Sequence, residues 1–215
     1  MVQWSWVSSN EGTILSLLAD HVELTVIAVA VGLAISLPLG VAASRLPAVR
    51  GPLLGAAGAL YVVPSIALLS LIAPLTGFFS ITTAEVALVS YTLLILLRNT
   101  TAGLASVPPE VHEAARAMGY NPLQELLKVQ LPLALPSVLA GVRVATVTVV
   151  GLVNVTALLG QGGLGQLIIQ GFTEDFNTPI IVGLVLSVLL AGVADAALVL
   201  LEHFSLPWLK KATLK

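Results

Sequence analysis

The chain has 215 residues, of which 57% are hydrophobic and only 9% carry a charge. A soluble domain carries about 25% charged residues, so this composition belongs to an integral membrane protein. The net charge of −2 is small, and the absence of cysteine excludes disulfides and thiolate chemistry.

The opening residues, MVQWSWVSSNEG, lack the basic region and cleavage site of a signal peptide, so the first span is expected to be its own insertion signal. Five segments are long and apolar enough to cross a bilayer, at about 22–44, 53–75, 84–97, 134–160 and 178–202. The third is short and could continue as helix past Arg98. Trp4, Trp6 and Trp208 are placed as interfacial anchors. Asp20 with Glu23, and Thr82 with Glu85, have the spacing of capping boxes at the starts of spans one and three. Pro38 and Gly40 in span one, and Pro64 and Pro74 in span two, predict interruptions, which survive at membrane depth only against protein or a wet cavity. Pro64 and Ser65 are therefore pathway candidates, with a kink filled by neighbouring helices as the alternative.

Between spans three and four lies a polar stretch, about 107–133. Pro109 suits a first helical turn, and Glu110 and Glu113 suit the positive end of a helix. Gly119 is placed to end that helix in the left-handed conformation. Asn121, Pro122 and Gln124 read as the capped start of a second short helix that stops before Pro132. Two capped helices between spans make an exposed knob suited to docking on a partner.

In span four, Thr148, Gly151 and Asn154 recur every three residues on one face, as pathway candidates or as interhelical packing. The same span carries Arg143, about nine residues in from its cytoplasmic end, and Asp195 lies about seven residues before the same end of span five. Similar depth predicts an intramembrane ion pair, with snorkelling of Arg143 as the alternative. Beyond span four, Gln161, Gly162, Gly163, Leu164 and Gly165 belong to a glycine-rich turn that can bend tightly.

Arg45 and Arg50 lie between spans one and two, Arg98, Arg116 and Lys128 between spans three and four, and Lys210, Lys211 and Lys215 after span five, whereas 1–21, 76–83 and 161–177 hold no basic residue. The positive-inside rule then puts the N-terminus outside, and the C-terminus and the knob in the cytoplasm. No enzyme signature appears. A Walker A sequence is absent, so any ATP is handled by another chain. His21, His112 and His203 have no metal-ligand spacing, so no metal site is expected, and Asp195 has no carboxylate mate for hydrolysis.

Glu113-Ala114-Ala115, Gly119, Val129, Leu131 and Pro132 match in spacing the E-A-A-(x)3-G-(x)9-I-x-L-P loop, with valine for isoleucine. The chain thereby resembles permease subunits of binding-protein-dependent ABC importers. VPSIALL at 63–69, LRNT at 97–100, LAGVRVAT at 139–146 and LLGQGGLGQLI at 158–168 are similar to the osmoprotectant branch, although Asn154 and Gln161 replace small residues. The resemblance implies an all-α, five-span type I importer permease (MetI-like) fold in the cytoplasmic membrane of a prokaryote. It also implies a second permease chain, identical or paralogous, two ATPase subunits that hold ATP and Mg, and an extracytoplasmic solute-binding protein. The seven motif residues would couple to the ATPase, Gln161, Gly162, Gly163, Leu164 and Gly165 would shape an outer gate or a binding-protein contact, and the cargo would be glycine betaine, carnitine, choline or a similar solute. Another small polar solute such as methionine, or a gated channel, is the alternative.

Overall fold

The computed structural model describes residues 2–205, so Trp208, Lys210, Lys211 and Lys215 lie outside the described residues. Every described element is helical: α1 (Trp4–Ser9), α2 (Glu11–Arg45), α3 (Pro47–Val62), α4 (Ser65–Thr76), α5 (Ile81–Ala105), α6 (Pro109–Ala117), α7 (Pro122–Glu125), α8 (Leu131–Thr156), α9 (Gly165–Thr173) and α10 (Asn177–Ser205). A π turn, Leu126–Gln130, joins α7 to α8, and a 3-10 turn, Ala157–Leu159, ends α8.

The centre of the bundle is α2, α5 and α8, whose Leu24, Ala28, Leu88, Leu96, Ala145, Val149 and Val153 form one buried apolar cluster. Hydrocarbon surrounding a membrane bundle supplies no hydrophobic drive between helices, so close packing through small residues must hold them together. A Cβ on Gly40 of α2 would lie 2.8 Å from the Thr100 Cβ of α5. One on Gly141 of α8 would lie 2.6 Å from the Asn99 Cβ of α5. α10 packs along α8 and α9 and leaves most of its apolar surface outward.

Four helical stretches are long and apolar enough to span a membrane, and α3 with α4 adds a fifth, bent by 100°. The break falls at Val63-Pro64, where the proline removes a backbone donor, and the Tyr91 hydroxyl takes up the Val63 carbonyl at 2.5 Å. The other predicted breakers do less. α2 runs through Pro38 and Gly40 for 35 residues, so span one is not interrupted. It also starts eleven residues before the predicted span, so Asp20 and Glu23 lie inside a helix and cap nothing. The cap of α5 is Ser80, whose hydroxyl accepts from the Thr82 N–H, not Thr82 itself. α5 continues past Arg98 to Ala105. Trp4 is exposed, whereas Trp6 packs edge-on against Phe176 with ring centres 5.8 Å apart.

Pro132 does not stop the second short helix either. The run Pro122–Leu159 is continuous over 38 residues. A proline in a helix clashes with the carbonyl four residues before it, and the wider π turn just ahead of Pro132 gives that carbonyl room.

Candidate functional site

At the end of the bundle where α2 finishes and α5 gives way to α6, the 107–130 stretch forms a compact knob. α6 closes on a Schellman turn: the Tyr120 N–H donates to the Ala115 carbonyl at 3.1 Å and the Gly119 N–H to the Arg116 carbonyl at 2.9 Å. Gly119 sits at φ +82°, a conformation that side chains with a Cβ resist. Asn121 then caps α7, its side chain accepting from the Leu123 and Gln124 N–H groups while Gln124 reaches back to the Asn121 N–H. Lys128 stands over the Tyr120 ring, 5.7 Å from its centre, and secures the turn from the π side.

Behind the knob is a buried polar cluster. The Glu125 carboxylate is 6% exposed and lies 2.6 Å from His112 Nδ1. An ionised carboxylate has no proton to give, so Nδ1 carries the hydrogen and donates. Gln130 Nε2 donates to the same oxygen at 2.8 Å, and Arg116 Nε stands 3.8 Å from the other. The His112 and Gln130 hydrogen bonds hold the Glu125 carboxyl below its ordinary value of 4.5. A depressed folded-state pKa stabilises the fold fully above 4.5, and that stabilisation is lost as pH falls through the folded value. At neutral pH the cluster is complete. Arg45 of α2 reaches the knob as well, donating from Nη2 to the Pro122 carbonyl at 3.0 Å. Between them lies an open groove of about 810 Å³, with Ser44, Arg45, Leu104, His112, Tyr120 and Glu125 among its walls.

Within the bundle, Arg143 Nε and Nη2 meet the two carboxylate oxygens of Asp195 at 2.9 and 3.1 Å. Glu202, one further step along α10, lies 3.6 Å from Arg143 Nη1. At the far end, Gly160 and Gly163 take positive φ of 71° and 46°. Gly162, Gly163, Leu164 and Gly165 are all buried, and Gln161 donates from Nε2 to the Phe79 carbonyl at 3.1 Å.

Residues 24–204 match the family model described as binding-protein-dependent transport system inner membrane component. The chain belongs to that family. It is 37% identical to an osmoprotectant import permease protein of Salmonella typhimurium, covering 88% of this chain and 90% of that one. It is 33% identical to a choline transport system permease protein of Bacillus subtilis, covering 92% and 91%. Among solved structures, an inward-facing MetNI methionine ABC transporter superposes with a TM-score of 0.82 at 26% identity, over 89% of this chain and 95% of that one. The fold is the MetI-like permease fold of an inner-membrane transport component.

In this permease the seven motif residues do not form one surface. Glu113, Ala114 and Gly119 are exposed, Val129, Leu131 and Pro132 are half-buried, and Ala115 is 0% exposed. Ala115 therefore packs the knob from inside and cannot touch a partner directly. The exposed apolar side chains at the knob are Met118, Leu123 and Leu127, at 65%, 62% and 54%. Their spacing around Gly119 and along one face of α7 was a signal in the sequence, but exposure had to be seen.

Gly162 to Gly165 are likewise buried in the single chain, which leaves the half-buried Gln161 as the residue of that predicted contact nearest the surface. Asn154 donates to Val150 of its own helix and accepts from Ser187 of α10 at 3.1 Å, which is interhelical packing and not a lining. Thr148 bonds back to Val144, and Gly151 is exposed on the outer face of α8. Pro64 is exposed at the bend, and Ser65 borders a small apolar void. The five pathway candidates are thus not gathered around one cavity of the single chain.

Glu202 follows Asp195 by seven residues, two helical turns, so its place on the same face of α10 was legible in the spacing. It sets the expected response of the charge cluster. Asp195→Asn should lower the thermal midpoint in detergent modestly, because Glu202 still faces Arg143. Arg143→Gln should lower it more, since two carboxylates then face each other unpaired. Adding Asp195→Asn and Glu202→Gln to Arg143→Gln should recover most of the loss. Strictly additive midpoints across that set would rule the cluster out as a coupled unit.

Proposed function

We propose that this chain is the permease subunit of an ABC importer that carries a quaternary ammonium osmoprotectant such as glycine betaine, carnitine or choline. The observation that carries the reading is the knob, with its motif spacing and exposed apolar tip at the end of a bundle of the importer-permease fold. Apolar side chains at the tip of a polar knob call for a covering protein surface, and an ATPase subunit fits that need. The basic residues Arg45, Arg50, Arg98, Arg116 and Lys128 all fall at the knob end, which favours the cytoplasm for the knob and the outside for the N-terminus.

Two permease chains, alike or paralogous, form the pore with two ATPases. ATP and Mg are held by the ATPases, and this chain contributes no cofactor. ATP binding draws the ATPases together, and the knobs convert that motion into alternating access. Only 5% of the residues are aromatic, too few to favour a ring-lined cage here. The solute-binding protein would hold the cation against aromatic faces and deliver it to a passage of low affinity. Gln161 to Gly165 act as an outer gate, and Thr148, Gly151, Pro64 and Ser65 face the passage only once a second chain completes it.

The test is reconstitution of the permease with the ATPase and binding protein encoded beside it. ATP-dependent uptake of labelled glycine betaine or choline into liposomes is expected, with excess unlabelled methionine failing to compete. Uptake without the ATPase would indicate a channel, and competition by methionine would move the substrate to amino acids.

A further inference from the structure

We infer that Glu125 is the positioning residue through which α6 of the knob moves span four. The inference rests on the coupling role proposed above and names the joint within it. α6 has little else to hold it. Ala115 is its one buried residue, and Ala115 has no long side chain with which to grip. The Met118–Tyr120 turn that connects α6 to α7 has one side-chain tie, Lys128 over the Tyr120 ring, and Gly119 has open space around it.

Glu125 closes that gap from the other side. It is the last residue of α7, directly ahead of the π turn that continues into α8 without a break. One carboxylate oxygen accepts hydrogen bonds from His112 Nδ1 and the Gln130 amide, and the second faces Arg116. Two of those partners belong to α6 and one to the π turn, so a single buried group ties both knob helices to the root of span four. Charge-assisted hydrogen bonds are short and directional, and they transmit displacement where apolar contacts would slip. A carboxylate held by donors from α6 and from the π turn has no equivalent position to relax into.

The test uses the full permease–ATPase complex in liposomes with its binding protein and glycine betaine as probe, read as solute taken up per ATP hydrolysed. Glu125→Leu removes both acceptors and should lower that ratio by about tenfold, within the range of allosteric couplings. Glu125→Gln keeps an acceptor for His112 and should restore the ratio to within about twofold. A purely structural role would lower the amount of assembled complex and leave the ratio unchanged. If Glu125→Leu does not assemble, His112→Leu decides, and a normal ratio there overturns the inference. A Gly119→Val complex run in parallel separates the two failures. If Gly119→Val uncouples and Glu125→Leu does not, only the role of Glu125 falls. If neither uncouples, the coupling assignment of the knob falls with it.

Discussion

Gly119→Val is expected to abolish solute uptake while the permease still reaches the membrane and still binds its ATPase. Valine at a φ of +82° is strained by about 1–2 kcal/mol or more, because its Cβ crowds the following carbonyl. Nothing lies within 4 Å of the added Cβ, so no neighbour is pushed out and the cost stays in the turn. The turn relieves it by leaving the Schellman geometry, which changes the angle between α6 and α7. The ATPase would then hydrolyse ATP against a knob pointing the wrong way. Uptake should fall by about tenfold or more with hydrolysis largely retained. Gly119→Ala, strained less, should fall between the two. Normal uptake by the valine variant would remove the knob from the coupling path.

The second large effect is at the far end. Gly163→Leu is expected to abolish transport and to lower the yield of folded permease. A Cβ at Gly163 would stand 2.8 Å from both the backbone N and the Cα of His21, and backbone cannot step aside as a side chain can. Its φ of +46° adds strain, and overpacking and left-handed strain each cost about 1–3 kcal/mol. Gly160 shares the positive φ but has nothing within 4 Å. Gly160→Leu therefore carries the left-handed strain without the clash and should keep more folded permease and more uptake than Gly163→Leu. Equal behaviour of the two variants would show that the turn does not pack on α2 as described.

The contrast between these glycines explains what the sequence disclosed. The knob was readable because its signals are local: Pro109 and Pro122 start helices, Gly119 ends one, and Asn121 with Gln124 forms a box within four residues. The depth match of Arg143 and Asp195 was readable too, since helical rise converts position into height. Gly162 to Gly165 looked like an exposed turn because composition does not reveal what packs on it, and α2 covers it through His21, 142 residues before Gly163 in sequence. α2 itself was underestimated. Its first turns are polar enough to resemble a loop, yet His21 is fully buried with its Nε2 3.0 Å from the Val150 carbonyl of α8. Pro132 resembled a stop signal because a π turn has no sequence signature of its own. Glu125 was missed since its partners His112 and Arg116 lie across the Gly119 turn, at separations no helical period links.

The unbroken run from Pro122 to Leu159 makes the knob and the far end two tips of one rod. At 1.5 Å per residue its 38 residues measure about 57 Å along the axis. A tilt of about 10° about a pivot near Arg143, about 24 Å from the far tip, sweeps that tip through about 4 Å. The Arg143 contacts to α10 sit near the middle of that rod and divide it into two arms. A fulcrum so placed would reverse the direction of travel, so that an inward swing of the knob carries the glycine turn outward. Spin labels at Leu123 and Leu158, both exposed, would record opposite displacements relative to α10 as ATP binds.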